Sequence, residues 1–369
     1  MSGFGRIMRT LARISRTRYP AFVFGLPLAR EEIPVFIYHD VETSVFARDL
    51  EFLQRNNYRT LALDEYLAAR DGKVRPGRAV LLTFDDARKS FGEVALPLLR
   101  QYEARAVLFA PSYWMQPPQR AEDDLFMSWE QLRACVESGL VDVQSHAHRH
   151  ALVATAPQVV DFANPSALER YDIYDWPIRV IDGKDELGKP ALGTPVYRAA
   201  PLLSASRRYL ENDALTRACR SFVERHGGIE LFAQRDWRAR LQRVVEEHAR
   251  APGRFMNAAA FENLVASEFE QCRDEFKRHL GYAPYCIAYP WHLGSPLSLQ
   301  LARRSGFTVA FGVAMDYGAE RHRDLLPLPS YGRLKCDWLQ FLPGKQRASI
   351  LGAVRRKITG FDAVQHLAH

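Results

Sequence analysis

Ala79-Val80-Leu81-Leu82-Thr83-Phe84-Asp85-Asp86 decides how this chain is read. The run is apolar, partly β-branched, and preceded by the turn pair Pro76-Gly77, so it reads as a buried strand. It ends in two adjacent carboxylates. Two ionised groups at a strand end need a solvated mouth or a cation, because burying them unpaired is costly. A helix N-cap pair is the structural alternative, since strand-to-helix junctions often carry Asp. This stretch alone leaves both readings open.

Val141-Asp142-Val143-Gln144-Ser145-His146-Ala147-His148-Arg149-His150 weighs in favour of a cation. It too is an alternating strand that ends in polar chemistry. His146 and His150 are four apart, so one helical turn would bring both imidazoles to one face. Two neutral imidazoles and a carboxylate make the ligand set of an open metal site. Standing alone, a His-rich cluster is as readily a solvated loop. Beside the Asp pair, that reading loses most of its weight.

Together these stretches resemble the polysaccharide deacetylases of the NodB type, carbohydrate esterase family 4. The resemblance rests on Thr83-Phe84-Asp85-Asp86 and Ser145-His146-x-x-x-His150. Softer matches follow in order: Pro34 to Asp40, with Tyr38-His39, like the opening strand of the exopolysaccharide branch; Ala104 to Phe109; Ser128 to Leu132 leading to Gly139; and Ile287-Ala288-Tyr289-Pro290-Trp291, like the third catalytic motif. It covers about residues 33–152 and 258–335. The family fold it implies is α/β, a distorted (β/α)7 barrel. Here the barrel would carry a large, mostly helical insertion at about residues 155–257.

Composition is that of an ordinary globular chain: 369 residues, 47% hydrophobic and 25% charged. No apolar run approaches the ~20 residues of a membrane-spanning helix. Six of the seven net positive charges lie in residues 1–30, which hold six arginines and no acid. The basic charge therefore belongs to an arm and does not argue for nucleic acid. Ile7, Leu11 and Ile14 recur at helical spacing among those arginines. Residues 1–18 could thus lie on an anionic membrane surface, or be a solvated or docked tail. The barrel is expected at 31–345, followed by a basic tail at 346–369. Five widely spaced cysteines without a Cys-x-x-Cys pair read as buried thiols, which favours a reducing compartment. With no convincing export signal, the expected location is cytoplasmic, peripheral at the inner membrane face.

Along the chain, strands at 34–38, 58–63, 79–84, 105–110, 141–145, 285–289 and 308–313 alternate with helical patterns. These include Phe46-Leu50-Leu53, Asp64 to Arg70, Ser128 to Ser138 with capping-box spacing, 261–280 and Ser295 to Ser305. Strand–helix alternation argues for parallel strands with crossover helices. His39, Asp85-Asp86, His146 and Pro290-Trp291 each directly follow a strand run. In a barrel of parallel strands such ends converge on one face.

The resemblance implies hydrolysis of an N-acetyl group on a sugar. Asp86, His146 and His150 would hold a divalent metal, zinc first, with cobalt or nickel possible. Asp85 would be the general base, and the backbone N–H of Trp291 would meet the oxyanion. Tyr289 and Pro290 would border the substrate. The usual acid, a His in a late Leu-x-His motif, is absent, because His322 stands in Arg321-His322-Arg323. His39 of the Tyr-His pair takes that place. Ala87 and His292 replace glycines of the pattern. Ala288 stands where many members carry an Arg that orients the catalytic Asp, leaving that partner unidentified. Two other readings remain. In an amidohydrolase, the His146-x-His148 pair would carry the metal. In a catalytically silent carbohydrate-binding barrel, the fold would be kept without the chemistry.

Overall fold

A computed structural model describes residues 19–28, 32–116, 124–248, 253–312 and 326–348. The arm at 1–18 and the tail from 349 onward lie outside the described residues. The chain divides into two compact units. One runs to Arg149 and resumes at Glu268; the other is His150–Ser267.

In the first unit the strands are β1 (Val35–Tyr38), β2 (Arg59–Thr60), β3 (Ala79–Phe84), β4 (Ala106–Ala110) and β5 (Val141–Ser145). The second unit holds β6 (Leu152–Phe162), β7 (Pro177–Ile181), β8 (Lys184–Glu186), β9 (Pro195–Pro201), β10 (Tyr209–Leu210) and β11 (Arg254–Phe255). β12 (Cys286–Ala288), β13 (Val309–Phe311), β14 (Ser330–Tyr331) and β15 (Leu334–Lys335) complete the first.

Among the described residues the first unit has one sheet of nine strands, ordered β14-β13-β12-β5-β4-β3-β1-β15, with β2 added beside β3. All its pairings are parallel. The sheet must curl, for two reasons. Its terminal strands β14 and β15 are joined by only Gly332-Arg333. One buried cluster also collects Val35, Leu81, Val107, Phe109, Ala288, Phe311 and Tyr331, alternate residues of strands from both ends of the path. No described ladder closes β14 onto β15, so the seven-stranded barrel of the sequence reading is an open, curled sheet. The final strands are two residues each, too short to offer a full ladder.

The expected crossover helices form. Thr43–Arg55 buries Phe46, Leu50 and Leu53. Ser128 and Gln131 cap Trp129–Glu137 reciprocally, at 2.8 and 3.3 Å. The late long helix runs Ala258–Leu280. Arg347 ties residues 19–28 to the end of the described chain through the carbonyls of Phe22, Gly25 and Leu26.

The second unit corrects the mostly helical expectation. Its helices Asp213–Arg225 and Trp237–Glu247 fall where the composition placed them. However, β8-β7-β6-β9 make a mixed four-stranded sheet as well. Its longest strand, β6, was hidden by Pro157. A proline interrupts a strand ladder, and here the β6–β9 register shifts between Ala154 and Val159. Of the aromatic rings in this unit, Phe162, Tyr174 and Trp176 are buried, while Tyr171 is 42% exposed.

All five cysteines are unbonded, four of them buried and Cys336 partly so. No helix among the described residues is long and apolar enough to cross a membrane.

Candidate active site

Strand alternation explains why residues distant in sequence meet. Parallel register aligns Val35 with Leu81, Ile37 with Thr83, Thr83 with Val107, and Val107 with Asp142. These side chains therefore share the inner face of the curled sheet. Further along the same parity come His39 and Asp85, each two residues on, and His146, four residues after Asp142 and just past the end of β5. Ile37 aligns with Lys335, which puts Arg333 on that parity too. In a flat sheet, β3 and β5 would lie ~10 Å apart, with β4 between them. Curling brings their ends together: His146 Nε2 is 3.6 Å from Asp85 Oδ2 and 3.5 Å from Asp86 Oδ1.

Asp86, His146 and His150 each offer one ligand atom, and the three atoms lie within 4.8 Å of one another. All three residues are buried. The donor set fits a divalent cation: one carboxylate oxygen and two imidazole nitrogens. The His146 tautomer fits as well. Its Nδ1 lies 2.9 Å from the Ala288 carbonyl, which takes a proton on that nitrogen and leaves the Nε2 lone pair toward Asp86. Arg88 Nε lies 3.9 Å from Asp86 Oδ2. Tyr174 stacks on His150, with ring centroids 4.0 Å apart.

The segment from 146 to 150 is a loop rather than the helical turn its spacing suggests. Ala147 and His150 are left-handed, with φ of 64° and 48°. Neighbouring residues clamp it. Tyr113 N donates to the His148 carbonyl at 2.9 Å, and Trp114 Nε1 to the Arg149 carbonyl at 2.7 Å. Glu268, 2% exposed, accepts from Arg149 N at 2.9 Å and also from Arg149 Nε. His148 stands outside the triad, with its Nδ1 2.8 Å from Ser112 Oγ. The His146-x-His148 reading thus loses its second ligand, because alternation along the loop turns His148 into the protein.

Asp85 is 3% exposed and bound at both oxygens by Arg333, at 2.6 and 2.7 Å. Burial alone would raise its pKa. The Arg333 charge, then His146, the Arg333 hydrogen bonds and His39 outweigh it and hold the carboxyl well below its usual range. Arg333 is the orienting arginine that the sequence reading could not find. It sits in the Gly332-Arg333 link between the two end strands instead of at position 288. The one sequence signal was a lone Arg after a short strand-like run, which many surface residues share.

His39 is partly exposed and acts on the charge of Asp85. Trp291 and His292 are left-handed, with φ of 52° and 56°. Tyr289 is fully buried and Pro290 is buried too, so they shape this turn and neither ring offers surface to a sugar. Six of the ten described non-glycine residues with positive φ lie in the three site loops: Asp86, Ala87, Ala147, His150, Trp291 and His292. Each such backbone costs energy, and concentrating that strain at one place marks a built site.

Fold and site together put a candidate metal-binding triad at the strand ends of a curled α/β sheet. Residues 72–165 match the polysaccharide deacetylase family model. The chain is 29% identical over 119 residues to the poly-beta-1,6-N-acetyl-D-glucosamine N-deacetylase of Escherichia coli K12, covering 30% of this chain and 18% of the relative. The enzyme of the same name from Staphylococcus epidermidis is 28% identical over 115 residues, 31% of this chain and 39% of the relative. The matched stretch is thus well under half of either relative. Two solved structures share the fold. A de-N-acetylase from Aggregatibacter actinomycetemcomitans has TM-score 0.51 at 18% identity, over 88% of this chain and 98% of that one. The BpsB deacetylase domain from Bordetella bronchiseptica has TM-score 0.53 at 18% identity, over 82% and 95%.

Proposed function

We propose that this protein is a metal-dependent N-deacetylase of an N-acetylated glycan, with Asp86, His146 and His150 as ligands. The observation that carries this is the buried triad beside a second carboxylate, Asp85, which Arg333 keeps ionised. The nitrogen-rich donor set favours zinc, with cobalt or nickel as substitutes. A bound divalent cation supplies Lewis-acid polarisation of the amide carbonyl and lowers the pKa of water to ~7.

Asp85 accepts a proton from the attacking water. Each of its oxygens keeps a second lone pair beyond those used by Arg333. So acidic a carboxylate is a weak base, and its contribution rests on position and on being ionised at every working pH. The backbone N–H of Trp291 is assigned to the developing oxyanion. As the C–N bond breaks, His39 delivers a proton to the leaving nitrogen, so that acetate and a free amine depart.

Both curated relatives are named for poly-beta-1,6-N-acetyl-D-glucosamine, so oligomers of that glycan are the first substrates to test. Metal analysis of the purified protein, followed by amine release from such oligomers, tests the reading. A protein that binds metal yet releases no amine from any N-acetylated glycan would overturn it. Peripheral membrane contact through residues 1–18 rests on the sequence alone. Equal salt-sensitive sedimentation with anionic liposomes, with and without residues 1–18, would exclude it.

A further inference from the structure

His292 stands where the resemblance expects a glycine, and its backbone is left-handed at φ 56°. A non-glycine residue there costs of order 1 kcal/mol, so the side chain needs a compensating use. Its ring has a prepared seat. A Cβ on Gly312 would come within 2.6 Å of His292 Nδ1 and 3.2 Å of Cε1, so only glycine fits beneath the imidazole. The same point is 3.3 Å from Arg333 Nη2, and Nη2 also binds Asp85 Oδ2. The imidazole therefore packs beside the guanidinium that holds the catalytic carboxylate.

The ring is only partly buried, and neither of its nitrogens has a partner among the described residues. Burial, followed by the charge of Arg333, pushes its pKa down to about 3, against the opposing pull of Asp85. That rules it out as a proton donor of the acid–base kind at neutral pH. A neutral imidazole carries one N–H, and Nδ1 is the nitrogen seated against Gly312, so Nε2–H is the donor left for a partner.

We infer that His292 is a specificity residue of the deacetylase site, donating a hydrogen bond from Nε2–H to a hydroxyl oxygen of the glycan beside the scissile acetamide. This rests on the function proposed above. A hydrogen bond present in both ground and transition states changes KM rather than kcat.

The test uses the metal-loaded full chain and N-acetylglucosamine oligomers, with His292→Gly and His292→Asn. Glycine relieves the backbone. Asparagine tolerates the left-handed conformation and restores a donor. Metal content and melting temperature check that both variants fold. His292→Gly is expected to raise KM about tenfold with kcat within threefold, and His292→Asn to recover most of that loss. A fall in kcat at unchanged KM would place the role in Arg333 and Asp85 instead, and would overturn the inference. Unchanged kinetics in His292→Gly, or no recovery in His292→Asn, would overturn it as well. A wild-type protein that releases no amine would overturn the functional proposal and this inference with it. An active wild type with any of the other outcomes overturns this inference alone.

Discussion

Asp85 and Asp49 are almost equally buried, at 3% and 4% exposed, yet they sit in opposite electrostatic worlds. Asp85 lies at the end of β3 under the Arg333 fork, and its carboxyl is held far into the ionised range. Asp49 lies on the helix Thr43–Arg55. It accepts from Tyr38 Oη at 3.0 Å and from Gln340 Nε2 at 2.9 Å. Those partners are neutral, so burial wins there and raises its pKa to about 6. Burial thus does not decide the charge of a buried acid. A cation within hydrogen-bond reach does. The acid held deep in the ionised range stands beside the candidate metal triad, and the one with the raised pKa joins a helix to its neighbours.

Breaking the first half of this contrast has the largest expected effect. Asp85→Asn should keep metal but lose ~10²–10⁴-fold in kcat, since the amide cannot accept a proton. Near-native turnover would reduce Asp85 to a structural cap. Asp86→Ala, His146→Ala and His150→Ala should each lose metal as well as activity. Normal metal stoichiometry in any of them removes that residue from the ligand set.

Arg333→Met leaves the Asp85 charge buried and unpaired, and the expected cost is about 3–5 kcal/mol by chemical denaturation at pH 7. With the guanidinium gone, burial raises the Asp85 pKa unopposed. The acid limb of the pH–rate profile should therefore move to higher pH. A variant with unchanged stability and pH profile would mean that Arg333 is not what keeps Asp85 ionised.

Asp49→Asn sharpens the other half. A carboxyl with a raised folded-state pKa favours folding below its unfolded pKa. That contribution is lost as pH rises through the folded value, here between about 4 and 6. The variant should flatten the pH dependence of stability in that window. It should also be more stable at pH 7 by about 3 kcal/mol, from a shift of about two pKa units at ~1.4 kcal/mol each. Gln340 can turn its amide to satisfy the new side chain. Matching pH–stability curves for wild type and variant would contradict the assignment.

The smallest effect concerns the clamp under the 146–150 loop. Glu268→Gln weakens the hold on Arg149 while leaving every ligand in place. Metal affinity should fall about tenfold, the lower end of what losing an orienting partner costs. Unchanged affinity by competitive chelation would show that the loop holds its shape without Glu268.

The convergence of Asp86, His146 and His150 was legible in the sequence because they lie in two short, chemically distinctive stretches at strand ends. The helical turn expected at 146–150 was wrong in conformation, though the same two imidazoles converge. Alternation along each strand also fixes, from sequence, which side chains share a face. What that face encloses is set by the curl of the sheet, through contacts between strands hundreds of residues apart. Arg333 shows the difference. Nothing local marks it, and only the two-residue link between the end strands carries its guanidinium to Asp85. The left-handed seat of His292 over Gly312 is of the same kind. A residue's identity and spacing state its chemistry, but its partner across the fold depends on where the backbone turns, and that was decided by packing.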